Sequence, residues 1–186
     1  MSISGEERRR PGSVRERARG GAAVLLLGLL GGLACEPTEA RTPRLAGGTA
    51  TLESLGQEVW AALVAADTGT LNRLRLDRGE HDGHVWPEQP AARSASAGDH
   101  LDLWWRNIET RNDAAVAELT RRFRGSEATL VETRCGEEPL RYETYEALTD
   151  CRLVLEAPDG TRTGVEAFRH VVRMDGVYKV VRYYGE

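Results

Sequence analysis

Five consecutive residues, Glu80-His81-Asp82-Gly83-His84, form the densest group of side chains in this sequence that could bind a metal. Imidazole nitrogens and carboxylate oxygens are common zinc ligands in proteins. The spacing matches none of the usual zinc motifs, however, and it contains no helical pair of histidines four residues apart. We therefore expect a polar, solvated loop here, and neither a metal nor another cofactor in the protein.

His170 is the one histidine that falls in a predicted strand, and histidine is the commonest general acid or base. No aspartate can be placed beside it from the sequence, and the chain shows no nucleophile elbow or glycine-rich phosphate loop. We expect His170 to pack in the core or at its rim, where burial would lower its pKa. A catalytic base is the alternative.

We select four side chains as candidates for a pocket: Trp86, Trp104, His170 and Tyr183. Trp86 stands in the segment 85–91, where Pro87 and Pro90 predict extended backbone. We expect its ring to pin this segment to the domain, and stacking on a ligand is the alternative. Trp104 lies on a predicted helix beside a second tryptophan, which is typical of a helix core and its rim.

The chain has three cysteines, so a disulfide would leave one of them over. Cys135 and Cys151 would close a loop of about 16 residues, and in an oxidising compartment such a bridge stabilises a fold by ~3 kcal/mol. We expect this disulfide, with two unpaired buried thiols as the alternative. Cys35 is then the odd cysteine, which needs a separate explanation.

Residues 1–20 carry six arginines, and residues 21–34 form an apolar run that ends at Cys35. A basic start, an apolar run and small residues before a cleavage point are typical of a secretory signal peptide. The run is shorter than the ~20 residues of a membrane-spanning helix. Leu33-Ala34-Cys35 resembles bacterial lipoprotein signal peptides, which implies cleavage before Cys35 and a lipid on its sulfur. At Gly32 that family usually has leucine, so a plain secreted form is the alternative.

Cleavage after residue 34 would leave 152 residues and would change the net charge from −4 to −7, because six arginines and three glutamates are lost. An acidic chain of this kind argues against general nucleic-acid binding. We expect export to the periplasmic face of a bacterial membrane, inner or outer, with Cys35 as the lipid anchor. Residues 35–49 would be a disordered tether, residues 50–186 a single domain, and a homodimer is left open.

Helical periods fill the first part of the domain. Thr51 is a predicted N-cap for a helix whose apolar residues recur on one face, and a short second helix follows the break at Asp67-Thr68-Gly69. A longer helix is predicted from Ser96 or Asp99 to Phe123, with a kink or restart at Asn112-Asp113.

The later part predicts strands, first over residues 127–135 and then as a three-stranded antiparallel meander over residues 151–184. Asp175-Gly176 favours a type I′ turn, in which both central residues have positive φ. One face of that hairpin would hold four pairs: Met174 with Val177, Val172 with Lys179, His170 with Val181, and Phe168 with Tyr183. This face is the more apolar one, and we expect it to line the core.

Helices followed by antiparallel strands predict an α+β fold. Over residues 50–185 the order resembles NTF2-like (SnoaL-type) domains, through Ala65-Ala66-Asp67 to Leu71 and through the run from Asp175-Gly176 to Arg182. The resemblance implies N-terminal helices packed on a curved antiparallel sheet, in a cone. We expect a membrane-tethered exported lipoprotein that binds a small apolar ligand or a protein partner without catalysis. A small-molecule enzyme, an isomerase or hydrolase, is the alternative.

Overall fold

The structure, a computed structural model, describes residues 44–94 and 96–185. The predicted signal peptide and Cys35 lie outside these residues. The described helices are α1 Leu52–Ala65, α2 Thr68–Leu74, α3 Arg78–Glu80 and α4 Ala97–Phe123. A π-helical turn, His81–Val85, and two 3₁₀ turns, Trp86–Glu88 and Pro90–Arg93, connect α3 to α4. The described strands are β1 Thr129–Arg134, β2 Leu140–Arg141, β3 Glu146–Leu148, β4 Arg152–Glu156, β5 Arg162–Val165, β6 Val171–Met174 and β7 Val177–Val180. An α+β class is confirmed.

The first two helices begin at the residues that their capping signals indicate. The Thr51 side chain accepts the backbone N–H of Ser54, and the Ser54 hydroxyl in turn bonds the backbone of Thr51, which completes a capping box. At the other end Ala66 turns into the left-handed region, with φ of 54°, and ends the helix. Asp67 then accepts the N–H of Thr70 and caps α2.

Helix α4 is continuous over 27 residues, so it does not restart at Asn112-Asp113. Asn112 is fully buried, and its Oδ1 accepts the backbone N–H of Tyr183 at 3.1 Å. A polar residue inside a helix is tolerated here because its side chain satisfies a backbone donor of the C-terminal segment. The bond therefore joins the middle of α4 to the end of the chain.

The strands form two separate antiparallel sheets, in the orders β1-β4-β5 and β2-β3-β6-β7. The predicted three-stranded meander is thus wrong, because β5 and β6 do not pair with each other. The hairpin at its end is confirmed: Asp175 and Gly176 have φ of 49° and 75°. Its predicted register also holds, from Met174 opposite Val177 to the Phe168–Tyr183 bridge.

Both faces of the β6–β7 hairpin are buried, not only the more apolar one. Val171 and Val180 belong to the main core, whereas Val172 and Met174 belong to a smaller core on the other face. The main core joins α1, α2 and α4 to the three-stranded sheet, and its fully buried members include Leu55, Val59, Leu63, Leu71, Leu153 and Phe168. Gly56 allows the close approach of α1 to this sheet, since an added Cβ would lie 1.7 Å from Thr133 Oγ1.

The described part of the predicted tether, residues 44–49, is packed against the domain instead of being disordered. Leu45 is buried in the smaller core. Thr49 exchanges two backbone hydrogen bonds with Tyr178 of β7, at 3.1 and 2.8 Å. These contacts form because Leu45 supplies an apolar side chain and β7 offers an unpaired edge.

A disulfide joins Cys135 to Cys151, as predicted. The two cysteines directly follow β1 and precede β4, and the adjacent Arg134 and Arg152 are partners in the strand ladder. The bridge therefore closes the end of the β1–β4 pair and fixes the long connection between those strands. Among the described helices, none is both long enough and apolar enough to cross a membrane.

Candidate ligand-binding site

A cavity of about 780 Å³ lies between α4, the segment 81–91 and the four-stranded sheet. This volume falls in the range of about 300–1,000 Å³ that is typical of small-molecule sites. Rings form a large part of the wall: His81, Trp86, His100, Trp104, Tyr142, Tyr145, His170 and Tyr184. Apolar side chains from the sheet complete it, among them Ala147 and Val172.

One face of α4 supplies the longest side of the cavity. Six of its residues line the wall at intervals of three or four: His100, Leu103, Trp104, Asn107, Ile108 and Arg111. Residues at this spacing share one face of a helix, and at 1.5 Å per residue the stripe is about 16 Å long. The next stripe round the helix, which includes Trp105 and Asn112, is buried in the domain.

The segment 80–84 is helical and partly buried, so the predicted solvated loop is wrong. Asp77 caps the turn: its side chain accepts the N–H of Glu80, and the Glu80 carboxylate accepts the N–H of Asp77 in return. This capping box starts a helical turn that continues as the π-helical turn His81–Val85. As a result Glu80 and His81 both turn inward.

His81 is enclosed by indole rings on the cavity wall. Its ring stacks on Trp104 with the centroids 4.2 Å apart, and the rings of Trp105 and Trp86 lie at 5.4 and 6.1 Å. Its Nδ1 is 2.9 Å from Oδ1 of Asp82. Burial lowers the pKa of His81, although the neighbouring carboxylate acts in the opposite direction.

Glu80 forms a buried ion pair on the side of the turn away from His81. Its Oε2 is 2.6 Å from Nζ of Lys179, and the side chains are only 7% and 3% exposed. The ammonium group also donates to the carbonyl oxygen of Ala46 at 2.7 Å, and Glu80 Oε1 accepts the N–H of Ala46 at 2.7 Å. The pair thus connects the 80–85 turn, strand β7 and the segment before α1.

Three of the four candidate pocket residues, Trp86, Trp104 and His170, line the cavity. Tyr183 does not: it is buried in the main core, and its hydroxyl donates to the carbonyl of Leu71 at 3.0 Å. Tyr184 takes the place in the wall that we assigned to Tyr183. The assignment was wrong because Tyr183 lies beyond the end of β7, where its backbone is held by α4.

The segment that carries Trp86 differs from its predicted extended form. Pro87 and Pro90 stand in 3₁₀ turns, and Gln89 between them is extended. Gln89 donates a hydrogen bond to the hydroxyl of Tyr145, which stacks on Tyr142 with a centroid distance of 4.4 Å. These contacts hold the proline segment against the β2–β3 hairpin.

His170 is half-buried in the cavity wall, and its Nδ1 hydrogen-bonds the hydroxyl of Tyr184 at 3.1 Å. Burial lowers its pKa, and the positive charge of Arg182 acts in the same direction. The direction predicted from the sequence is confirmed. The hydrogen-bond partner is a phenol and not the carboxylate that a catalytic dyad would use.

Comparison of the chain with protein-family models, with curated proteins and with solved structures finds no match. The resemblances to lipoprotein signal peptides and to NTF2-like domains therefore stay predictions. Within the described residues, no group of three or more histidine, cysteine, aspartate or glutamate side chains is placed to hold a metal ion.

Sequence reasoning missed several residues of the site. The sequence pattern predicts a solvated loop at His81, and it does not single out Arg111, Arg182 or the Tyr142–Tyr145 pair. For α4 a signal was present: Trp104, Asn107, Ile108 and Arg111 repeat at helical intervals beside the buried stripe. For His81 the local sequence offers little signal, because two of the three rings that enclose it, Trp104 and Trp105, lie more than twenty residues later in the chain.

Proposed function

We propose that the domain binds a small molecule with an apolar or aromatic body in this cavity. The observation that carries the proposal is the cavity of about 780 Å³, whose wall consists largely of rings and includes one face of α4. Rings offer flat apolar surface at little cost in conformational entropy, which is why they dominate small-molecule sites.

Exposed apolar side chains at the same cavity support this proposal. Leu103, Leu140 and Trp104 are large apolar residues with 64%, 54% and 37% of their surface exposed, and all three line the cavity. Scattered exposed apolar residues are ordinary, but a group around one concavity is typical of a binding site. A bound ligand would remove their surface from water.

A neutral fluorescent probe tests the proposal. N-phenyl-1-naphthylamine brightens in apolar surroundings, and we expect saturable binding to the domain. Trp104→Ala should weaken it about tenfold, because stacking of an aromatic ligand is worth about 1–3 kcal/mol. Val131→Ala is the matched control, since Val131 is 43% exposed and does not line the cavity. No binding, or equal binding by both variants, would refute the proposal.

The His81–Asp82 pair favours a second candidate, a small-molecule isomerase or hydrolase. A carboxylate at Nδ1 fixes the tautomer and leaves Nε2 as the basic nitrogen, which is how a histidine base is oriented. Turnover of a bound compound that His81→Gln abolishes, with probe binding retained, would establish the enzyme. Turnover unaffected by that change would exclude His81 as its base.

We also propose that the domain is exported and anchored through a lipid on Cys35. The basic start, the apolar run ending at Cys35 and the Cys135–Cys151 disulfide support this, because disulfides persist in oxidising compartments. Cys35→Ser should release the protein from membranes or leave it unprocessed. Absence of fatty-acid label on the wild-type protein would refute anchoring.

We also propose that the domain shares the architecture of NTF2-like domains. A cavity between a long helix and an antiparallel sheet supports it. The division of the strands into two sheets departs from a single curved sheet.

A further inference from the structure

The charges that line the cavity have one sign. Its wall contains two arginines and three histidines, and none of its described side chains is a carboxylate. The chain as a whole carries a net charge of −4, so this sign is opposite to that of the protein. A concave, ring-lined surface of this kind concentrates field lines from its few charges.

Both arginines of the wall, Arg111 and Arg182, lack a carboxylate partner among the described residues. Several other arginines do form ion pairs, such as Arg73 with Glu58 at 2.6 Å and Arg162 with Glu156 at 2.7 Å. Arg182 instead lies over the ring of Tyr184, with its guanidinium carbon 4.0 Å from the ring centroid. Stacking of this type orients a guanidinium and leaves the N–H donors in its own plane available to other partners.

Arg111 ends the stripe of α4 that lines the cavity, and Arg182 lines the same cavity. Asn112, the next residue of α4, accepts the backbone N–H of Tyr183 at 3.1 Å, and Tyr183 directly follows Arg182 in the sequence. His170 joins them through its hydrogen bond with Tyr184. Burial lowers the pKa of His170, and the positive charge of Arg182 acts in the same direction.

The rings of His81 and Trp104 form the other end. Trp104 precedes Arg111 by seven residues on the same face of α4, so the two positions are about 10 Å apart along the helix. The nearest carboxylate to these rings, Asp82, is bound by Arg78 and by His81 itself. Asp150, the one carboxylate whose charge acts on His170, is exposed.

We infer that the ligand is an amphipathic anion: an aromatic or apolar body that lies against Trp104 and His81, with a carboxylate, sulfonate or similar acidic group at Arg111 and Arg182. The inference rests on the proposed function and adds to it the chemical class of the ligand. Guanidinium groups suit oxyanions, because their N–H donors match two acceptor oxygens at once.

Two probes that differ by one acidic group test the inference. The neutral probe is N-phenyl-1-naphthylamine, and the anionic one is 8-anilino-1-naphthalenesulfonate, the same framework with a sulfonate added. We expect the wild-type domain to bind the sulfonate about tenfold or more tightly than the neutral probe. Raising the salt concentration should weaken binding of the sulfonate alone.

Arginine variants locate the effect in the cavity. Arg182→Gln and Arg111→Gln should each weaken sulfonate binding about five- to tenfold and leave neutral-probe binding within about twofold. Arg106→Gln is the matched control: Arg106 lies on the same helix, is exposed, and does not line the cavity. It should change neither affinity.

The possible failures are distinguishable. Equal affinity for the two probes, or an equal loss in Arg106→Gln and Arg182→Gln, would overturn the anionic class and leave the cavity as a site for neutral molecules. Absence of binding by both probes would overturn the proposed function, and the inference with it. Circular dichroism of each variant verifies that the fold is retained.

Discussion

The buried Glu80–Lys179 ion pair allows a sharp test of how this domain is held together. Lys179→Met keeps the aliphatic length of the side chain and removes its charge. The Glu80 carboxylate then stays 7% exposed without its cation. Loss of one partner of a buried pair typically destabilises a protein by about 3–5 kcal/mol, because the other charge is left uncompensated.

The structure places the expected loss at the lower end of that range. Glu80 keeps two backbone donors after the substitution, the N–H groups of Ala46 at 2.7 Å and Asp77 at 3.0 Å. Hydrogen bonds of this kind continue to stabilise the carboxylate. We therefore expect Lys179→Met to lower the free energy of unfolding by about 3 kcal/mol, and addition of Glu80→Gln to restore part of it, since no charge then remains buried.

Urea denaturation at pH 7, with the disulfide intact and tryptophan fluorescence as the signal, measures the loss. Arg162→Met is the matched control: its ion pair with Glu156 has a similar distance, 2.7 Å, but its side chain is 62% exposed. Exposed pairs contribute about 0–1 kcal/mol. A loss in Lys179→Met no larger than in the control would refute the argument that burial makes the Glu80–Lys179 pair important.

Three further outcomes are expected. Mass spectrometry of non-reduced peptides should show Cys135 joined to Cys151, and two alkylatable thiols in the exported protein would contradict this. Replacing both cysteines by serine should lower the free energy of unfolding, measured by urea denaturation, by about 3 kcal/mol. Because burial lowers the pKa of His81, the unfolded chain takes up a proton near pH 6.5, its ordinary value, while the folded chain does not. The contribution of His81 to the free energy of unfolding should therefore be fully present above that pH and decrease as the pH drops below it. His81→Gln should reduce this dependence of stability on pH, and an unchanged dependence would exclude His81 as its source. His170→Gln should change stability by less than about 1 kcal/mol and leave neutral-probe binding within about twofold, whereas a complete loss of turnover would make His170 a catalytic base.

Local signals predicted the parts of the fold that depend on neighbouring residues. Thr51 begins α1 because a hydroxyl at that position satisfies an N–H that the helix leaves free. Asp175-Gly176 fixes the register of the β6–β7 hairpin because both residues accept positive φ. Each of these features is decided within a few residues, which is the range over which a sequence pattern carries information.

The two sheets could not be predicted in the same way. Strand β6 pairs with β3, which comes more than twenty residues earlier, and not with its neighbour β5. Every one of these strands has apolar residues on at least one face, so the pattern alone permits several pairings. The observed pairings are accompanied by long-range contacts, such as the packing of α1 against β1 and β7 and the Cys135–Cys151 bridge, and neither is visible from the periodicity of a strand.

The error at Glu80-His81 follows from the same limit. Polar composition predicts exposure because an unpaired charge is costly to bury. Here the cost is offset by Lys179, 99 residues later in the chain, and by the indole of Trp104. Such compensation depends on tertiary structure, so a buried charged turn resembles a solvated loop in the sequence.

The ion pair and the cavity are connected through this turn. Glu80 and His81 are adjacent, and their side chains point to opposite sides, one to Lys179 and the other to the ring of Trp104. Because Glu80 is bound by β7, by Ala46 and by its own capping box, the backbone at His81 has little freedom to move. The interior of the domain therefore uses a buried charge to position an imidazole in the cavity wall. A solvated loop would leave the same imidazole free to turn away from the cavity.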